Sequence, residues 1–223
     1  MKTSDVLANH LISFMEKQED IWDIKDTDSR ILYANKTVLN TSGLPMNFNI
    51  EGKKISECPV SWTEYVEATH AYEQIVIQSE KPIFIINTHF VEKEQVVQSF
   101  IIEKIPYHNK NKIMGTICHG RKIPALVLSK HFFKNPTTPS LLTNHPPNNL
   151  FTTEELNVLF FAMKLMSNQE IALRLGTYCC VVEQIIQQIY KKIDIYTRKQ
   201  LRDYAIAEGF DNYFPPFLLK GLL

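Results

Sequence analysis

The sequence predicts an α+β domain followed by an all-α domain of four helices. Short runs of alternating apolar and polar residues fill residues 20–121, whereas helical periodicity and helix-capping residues fill residues 151–209. A proline-rich segment, residues 122–150, separates the two patterns. The 223 residues suffice for one large or two small domains, and the 44% hydrophobic content can fill two cores.

The N-terminus, residues 1–19, is predicted to form an amphipathic helix. Its apolar side chains recur at intervals of three and four residues and include Val6, Leu7, Leu11, Phe14 and Met15. Such a helix packs on the first domain or on a partner chain. Two strand-like runs follow, residues 21–25 and 30–34, and the polar residues 26–29 between them predict a hairpin.

In the remainder of the first domain, the sequence pattern changes from helical to strand-like. Helices are predicted from Lys36 to about Ser42 and from Trp62 to about Gln78. Three strands are predicted next, at residues 82–89, 95–107 and 113–121. The order β-β-α-α-β-β-β predicts an antiparallel five-stranded sheet with its helices covering one face.

Several motifs in residues 20–121 occur in this order. They are Ile24-Lys25-Asp26, Ser29-Arg30, Tyr33-Ala34-Asn35-Lys36 and Gly115-Thr116-Ile117. With the element order, these motifs make the segment resemble a PAS sensor domain. The resemblance implies a sensing or dimerising module, with a cavity between sheet and helices that holds haem, flavin or a small metabolite in some members and nothing in others.

Six apolar residues at strand spacing are the predicted lining of such a cavity. They are Trp22, Phe84, Ile86, Phe100, Ile102 and Ile117. An apolar stripe of this kind more often fills a core, so we expect a domain without a cofactor that serves dimerisation, with a small-molecule ligand or haem as the alternative. His70 stands about where PAS haem proteins place an axial ligand, but a lone histidine is more often structural.

The segment between the domains and the chain's end each have a distinct composition. Residues 122–150 contain five prolines and no acidic residue, which predicts a linker rather than a packed element. Residues 210–223 are apolar and include Pro215 and Pro216, which prevent one continuous helix. We expect this tail to dock on its own domain or on a second subunit.

Four helices are predicted from Phe151 onward, and three of them begin with a capping pattern. The pairs are Thr152 with Glu155, Ser167 with Glu170, and Thr197 with Gln200. Gly176 is a left-handed stop for the second helix, and a new apolar register begins soon after it. The second and third helices therefore have helix-turn-helix spacing.

The third helix is predicted to be amphipathic. One face carries the apolar residues Val182, Ile185, Ile186, Ile189 and Ile193, which pack on the other helices. The opposite face carries Cys180, Val181, Gln184, Gln187, Gln188 and Lys191. This polar face is the surface left for a partner.

Residues 151–209 resemble the C-terminal domain of LuxR/GerE-type transcriptional regulators. The matching positions are Phe151-Thr152, Leu156, Val158-Leu159, Ser167-Asn168-Gln169-Glu170-Ile171-Ala172, Leu175, Val182, Ile189, Lys192, Arg198 and Leu201. A PAS module joined to such a domain also resembles the architecture of conjugal-transfer activators of the TraJ type. The resemblance implies a cytoplasmic, homodimeric transcription factor that binds double-stranded DNA.

The chain departs from that family at several positions in and just before the third helix, which is the recognition helix of the family. Tyr178, Val181 and Ile185 stand where the family has a capping serine, a threonine and a histidine, and Thr177 is the expected substitute cap. Glu183 would repel phosphate. Glutamines on the helix can still bond adenine bidentately, and following cations can hold phosphates. The predicted DNA contacts are Gln169, Thr177, Tyr178, Cys180, Val181, Gln184, Gln187, Gln188, Lys191, Lys192 and Arg198.

Charge, cysteines and missing motifs exclude several other classes. The net charge is zero, and residues 151–223 carry 8 basic and 8 acidic side chains, so DNA affinity must come from a local basic surface. The four cysteines show no paired spacing, which with the polar N-terminus predicts a cytoplasmic protein without a membrane span. No phosphate loop, metal set or nucleophile motif indicates an enzyme.

Two further functions stay open beside DNA binding. The departures at Glu183 and Ile185, together with the zero net charge, suit a helix-turn-helix module that docks a partner protein without holding DNA tightly. A small molecule in the PAS cavity is a third possibility, because it can control DNA binding by shifting the dimer between two states.

Overall fold

The structure is a computed structural model that describes residues 3–60, 65–91, 96–123 and 140–221. The chain divides into two compact units, Met1–Leu141 and Leu142–Leu223. No helix in the described part of the chain is long and apolar enough to cross a membrane.

The first unit is an α+β domain, as the sequence predicts. Its helices are α1 (Thr3–Glu16), α2 (Lys36–Thr41) and α3 (Val66–Ser79), and its strands are β1 (Ile21–Asp26), β2 (Ile31–Ala34), β3 (Ile83–Val91), β4 (Val96–Asn109) and β5 (Lys112–Ile123). A sixth strand, β6 (Ser140–Thr143), completes the sheet in the order β2-β1-β5-β4-β3-β6. The pairs β1/β2, β1/β5, β3/β4 and β4/β5 are antiparallel.

The sixth strand corrects two predictions, the five-stranded sheet and the linker over residues 122–150. Leu141 and Leu142 are both buried, so residues 140–143, which lie within the predicted linker, are a packed element. The prolines at positions 139 and 146 flank the strand rather than interrupt it, and proline is compatible with strand ends. Residues 124–139, most of the predicted linker, lie outside the described residues.

Asn35 explains why the sequence around residues 33–36 reads as a motif. The side chain is fully buried, and its Oδ1 accepts from the amides of Val38 and Trp22 at 3.2 Å each. Its Nδ2 donates to the carbonyl oxygens of Met15 and Asp20. One amide therefore caps α2 and also fixes the end of α1 against β1.

Gly115 marks the closest approach between β1 and β5. Its φ of +146° is unfavourable for an L side chain, and a Cβ there would lie 1.9 Å from the carbonyl oxygen of Lys25. Because the obstacle is backbone, no side chain can move aside. Only glycine satisfies this position without displacing β1.

Replacing Gly115 with alanine is therefore expected to lower the free energy of unfolding by about 2–4 kcal/mol. Gly52→Ala is the matched control, because Gly52 also has a positive φ, +77°, but no atom within 4 Å of the added Cβ. The free energy of unfolding of that control should fall by only about 1–2 kcal/mol, because backbone strain is its only cost. Urea unfolding of both variants measures the difference, and equal losses would show that the close approach is unimportant.

The second unit contains the four predicted helices. They are α4 (Thr153–Ala162), α5 (Asn168–Leu175), α6 (Cys179–Ile193) and α7 (Arg198–Ala207), followed by short 3-10 helices at Phe210–Asn212 and Pro216–Gly221. Fully buried side chains from each α-helix form its core, among them Leu159, Ile171, Ile189 and Leu201.

The apolar tail docks on its own unit, the first of the two places expected for it. Phe210, Tyr213 and Phe214 are at most 4% exposed. The ring of Phe210 lies 5.5 Å from that of Phe151, centroid to centroid, and the Phe214 amide donates to the carbonyl oxygen of Thr143 at 2.9 Å. The tail thus joins both ends of the unit.

Candidate nucleic-acid interface and buried cavity

The first helix of the predicted helix-turn-helix, α5, begins and ends as its sequence predicts. Ser167 Oγ accepts from the Glu170 amide at 3.3 Å, and the Ser167 amide donates to Glu170 Oε2 at 2.8 Å. The Ser167 hydroxyl also donates to Glu170 Oε2, at 2.7 Å, and this bond together with that from the Ser167 amide lowers the pKa of the Glu170 carboxyl. Gly176 then adopts φ 63° and ends the helix. The α5 capping box is confirmed.

Of the other two capping predictions, that for Thr152 is confirmed in full and that for Thr197 in part. Thr152 and Glu155 form a complete box at α4. Thr197 Oγ1 accepts from the Gln200 amide, but Gln200 Oε1 accepts from the amide of Tyr196 rather than that of Thr197. Helix α7 therefore has its predicted cap without the reciprocal bond of a capping box.

The recognition helix α6 begins without a side-chain cap, so the prediction that Thr177 caps it is wrong. The residue before the first turn is Tyr178, in an extended conformation, and its side chain makes no capping bond. The Thr177 amide instead donates to the carbonyl oxygen of Ala172 at 3.0 Å. Thr177 therefore belongs to the motif that ends α5, one residue too early to cap α6.

Helix α6 divides into the two faces that its sequence predicts. Val182, Ile186 and Ile189 are buried, and Ile185 is half-buried. The predicted contact residues on and beside the opposite face are exposed, apart from Val181, which is half-buried; the exposed ones are Tyr178, Cys180, Gln184, Gln187, Gln188 and Lys191. We call this set, with Val181, the α6 polar face.

Glu183 and Gln169 add no positive charge to this region, since one side chain is acidic and the other is neutral. Glu183 is exposed one turn before Gln187, so a carboxylate borders the α6 polar face. Gln169 is exposed on α5, whereas Thr177 is half-buried in the turn between the helices. Lys191 is the cation of the α6 polar face, and Lys192, which follows it on the helix, is also exposed.

Lys192 and Arg198, which the sequence assigns to phosphate contacts, are held by internal partners. Lys192 Nζ donates to Glu155 Oε2 at 2.7 Å and to the carbonyl oxygen of Leu150 at 3.3 Å. Arg198 is half-buried and donates through Nη2 to Asn168 Oδ1. Lys192 thus ties α6 to α4, and Arg198 ties α7 to α5, which gives both residues structural positions.

The first unit contains a cavity of about 70 Å³ between the sheet and its helices. Its apolar lining includes Ile21, Ile31, Val38, Ile85, Phe100 and Ile102. Its charged and polar lining includes Asp23, Lys25, Asn87, His89 and Lys104. A cavity of this size has room for about five water molecules.

A buried ion triad lies beside this cavity. Lys104 Nζ donates to Glu73 Oε1 at 2.7 Å, and Lys25 Nζ donates to the same oxygen. All three residues are at most 4% exposed. Burial alone would raise the pKa of the Glu73 carboxyl, but the ammonium groups of Lys104 and Lys25 hold it at about 2.

The cavity wall next to the triad is also charged. Burial alone would lower the pKa of Lys25, but the carboxylates of Glu73 and Asp23 raise it overall. Burial, followed by the Asp23 carboxylate, raises the pKa of the Cys118 thiol, which is hydrogen-bonded to Asp23. Cys118 is therefore a neutral thiol at physiological pH.

The structure places two of the six predicted lining residues at this cavity and four on the other face of the sheet. Phe100 and Ile102 line the cavity. Trp22 and Ile117 alternate with the lining residues Ile21, Asp23 and Cys118 along their strands, and Phe84 and Ile86 alternate likewise with Ile85. Because successive strand residues point to opposite faces, these four lie on the other side of the sheet.

His70 does not fit the role of a haem ligand in this cavity. It is exposed on α3, its Nδ1 lies 2.9 Å from Ser29 Oγ, and it lines a separate pocket with Lys54 and Glu67. The cavity beneath the sheet is also far smaller than a macrocycle requires. Within the described residues, no group of three or more His, Cys, Asp and Glu side chains could hold a metal ion.

The sequence prediction does not include the charged and polar residues of the cavity. Asp23, Lys25, Asn87 and Lys104 occupy inward positions of otherwise apolar strands. Their only sequence signal is a polar residue in phase with buried neighbours such as Ile21 and Ile85. That phase depends on strand boundaries, which sequence patterns define poorly.

Neither a protein-family model nor a curated protein matches the chain. Solved structures do. A VqmA dimer from Vibrio cholerae, described as a LuxR-type receptor in the absence of target DNA, has a TM-score of 0.53 and 23% identity, covering 96% of this chain and 94% of that one. A phage VqmA complex with DPO has a TM-score of 0.48 and 24% identity, covering 100% and 98%. The PAS domain of Bordetella pertussis BvgS has a TM-score of 0.45 and 20% identity, covering 56% and 93%.

The sheet order, the four-helix unit and the first of these matches agree with one another. The chain has the fold of the VqmA chain in the first match: an α+β domain followed by a four-helix domain that contains a helix-turn-helix. This confirms the architecture that the sequence resemblance predicts.

Proposed function

We propose that this protein is a DNA-binding transcriptional regulator without enzymatic activity, which acts as a homodimer in the cytoplasm. The α6 polar face carries the proposal, because it presents Gln184, Gln187 and Lys191 to solvent on a helix whose other face is buried. Such a helix enters the major groove, where glutamine bonds adenine bidentately. The expected site is rich in A·T pairs.

The start of α6 supports the same function. Because no side chain caps the helix, the amides of Cys179 and Cys180 in its first turn can donate to a phosphate oxygen, whereas the Val181 amide donates to the carbonyl oxygen of Tyr178. Lys191 adds an exposed ammonium on the same face, and Lys199 and Arg202 are exposed on α7. These groups supply the local basic surface that a neutral chain needs.

Helix α1 supports the proposed dimer. Leu11, Ile12 and Phe14 are 54%, 42% and 54% exposed, whereas Met15 at the helix end is buried. An apolar face that the described part of the chain leaves uncovered is suited to pairing with a second copy. Two subunits would then place two α6 helices on half-sites about one DNA turn apart.

The salt dependence of DNA binding tests the proposal with two neighbouring lysines. Lys191→Ala should reduce the slope of log affinity against log salt by about 1 per bound subunit, because one phosphate contact is lost. Lys192→Ala is the matched control, because Lys192 is bonded to Glu155 and Leu150. It should lower thermal stability and leave the slope unchanged.

The assay uses the full-length protein and DNA fragments recovered by genome-wide capture. Equal slopes for the parent and Lys191→Ala would contradict the assignment of Lys191. No affinity for any recovered fragment at low salt would contradict DNA binding itself.

A second candidate function is docking of a partner protein by the helix-turn-helix unit. Glu183 beside the α6 polar face favours it, because a carboxylate there repels phosphate. The internal bonds of Lys192 and Arg198 favour it too, since they remove two expected phosphate contacts. Partner capture that is insensitive to salt, without retention of DNA, would select this function.

The PAS unit is proposed to set the geometry of the dimer or to sense a signal. The cavity and its charged wall support sensing, because a mainly apolar cavity with a few polar groups in its wall is able to take a small ligand. A ligand acts on DNA binding only if it binds two dimer arrangements with different affinity.

A further inference from the structure

The cavity of the first unit contains buried polar atoms whose bonding is incomplete. Asn87 is 5% exposed and Asp23 is 8% exposed, and both line the cavity. Among the described residues, Asn87 Oδ1 and Asp23 Oδ1 have no hydrogen-bond partner. Buried polar atoms are almost always bonded, so both positions call for a donor from outside the protein.

Both of these atoms are acceptors, which restricts the chemistry of what can occupy the cavity. A carboxylate oxygen accepts only, and so does the oxygen of a side-chain amide. A molecule that satisfies either atom must therefore carry an N–H or O–H group. Molecules that only accept hydrogen bonds would leave these atoms unbonded.

The formal charges around the cavity restrict the net charge of the occupant. Two carboxylates, Asp23 and Glu73, face two ammonium groups, Lys25 and Lys104, so the buried charges cancel. A charged occupant would leave one buried charge without a partner, which is costly. An uncharged occupant preserves the balance.

The size of the cavity and the sheet order decide how many acceptors one molecule reaches. A cavity of about 70 Å³ admits roughly five non-hydrogen atoms. Asp23 on β1 and Asn87 on β3 are separated by β5 and β4, roughly 14 Å across the sheet. One molecule of this size therefore donates to only one of them.

Asn87 is the better placed of the two acceptors. Asp23 already accepts from Cys118 and interacts with Lys25, whereas Asn87 pairs across the strands with Phe100, another lining residue. Phe100 in turn stacks on His89, at 5.4 Å between ring centroids. An apolar wall therefore stands beside the amide oxygen, as in most ligand sites.

We propose that this cavity binds a small uncharged molecule that donates a hydrogen bond to Asn87 Oδ1. The proposal deepens the sensory part of the proposed function by naming the chemistry of the ligand. It does not depend on DNA binding, so the two are tested separately.

Pyrazole and isoxazole are suitable probes, since both are uncharged rings of five non-hydrogen atoms and only pyrazole has an N–H donor. Isothermal titration calorimetry of the full-length protein, without DNA, should show pyrazole binding about tenfold or more tightly than isoxazole. Acetate and methylammonium, the charged controls, should show no binding at the cavity.

Asn87→Leu provides the decisive variant, because it removes the acceptor while keeping the size of the side chain. Replacing an unbonded buried acceptor with an apolar group leaves stability unchanged or raises it. The variant should therefore melt no lower than the parent and yet bind pyrazole about tenfold more weakly. Loss of binding is then separable from loss of folding.

Asn109→Leu is the matched control, because it makes the same exchange at an exposed asparagine of β4 outside the cavity, and it should change pyrazole affinity by less than about threefold. Pyrazole binding by Asn87→Leu as tight as that by Asn109→Leu would overturn the assignment to Asn87. Equal affinity for the two probes, tighter binding of acetate, or no binding of pyrazole at its solubility limit would overturn the proposal and leave water as the occupant. Since no DNA is present, none of these results bears on the DNA-binding proposal.

Discussion

Replacing Glu73 with glutamine is expected to lower the free energy of unfolding by about 3–5 kcal/mol. The carboxylate is 1% exposed and is bonded to two ammonium groups that are themselves buried. Glutamine keeps an oxygen at the same place but removes the negative charge. Lys25 and Lys104 would then be two neighbouring cations in a site of low dielectric, without a counter-ion.

Chemical unfolding of Glu73→Gln measures this loss, with Glu67→Gln as the control. Glu67 is on the same helix, α3, but is exposed, so its replacement should change stability by less than about 0.5 kcal/mol. A Glu73→Gln protein as stable as the control would contradict the buried triad.

A triple variant, Lys25→Met, Glu73→Leu and Lys104→Met, separates charge from packing. Exchanging a whole buried ion cluster for apolar residues of similar size is often neutral or stabilising. We expect the triple variant to recover most of the stability that Glu73→Gln loses.

The same carboxyl gives stability a dependence on pH in the acid range. Its pKa in the folded protein is about 2, below its ordinary value of 4.5. The stabilisation is therefore fully present above pH 4.5 and is lost as the pH falls from 4.5 towards 2. The parent should lose more stability than Glu73→Gln across this interval, and parallel pH profiles would contradict the depressed pKa.

Replacing Gln184 and Gln187 with alanine together is expected to weaken binding to the recovered target DNA by about 2 kcal/mol or more, a factor of about 30. Both side chains are exposed on the α6 polar face, and neither contributes to the core. Binding to unrelated DNA should change little, since phosphate contacts dominate it.

Competition assays with target and unrelated DNA measure this loss of specificity. The matched control is Gln78→Ala, which changes an exposed glutamine on α3 of the other unit. Thermal melting should show that the double variant is folded. Unchanged discrimination would indicate that these glutamines do not read bases, and would favour the protein-docking function instead.

Local signals in the sequence were sufficient for most elements of both units. The caps at Thr152, Ser167 and Thr197 and the stop at Gly176 all form, because each depends on residues within one helical turn. The two faces of α6 also follow directly from its helical period.

Features that depend on distant partners were not predictable in the same way. Trp22, Phe84, Ile86 and Ile117 were assigned to the wrong face because a strand phase shifted by one residue exchanges the two faces. Lys192 reads as a surface lysine until its partner Glu155, 37 residues away in sequence, is known. The sequence does not predict strand β6, because a strand of only four residues carries almost no periodic signal.

The docked tail redefines the smallest autonomous fragment of the second unit. The family pattern covers residues 151–209, but Phe210, Tyr213 and Phe214 complete the core, and Thr143 receives the Phe214 amide. A fragment cut at 151 and 209 would lose these buried rings together with the backbone that they anchor. A fragment that keeps the second unit intact therefore spans residues 142–221, and its boundaries are set by hydrophobic burial rather than by sequence similarity.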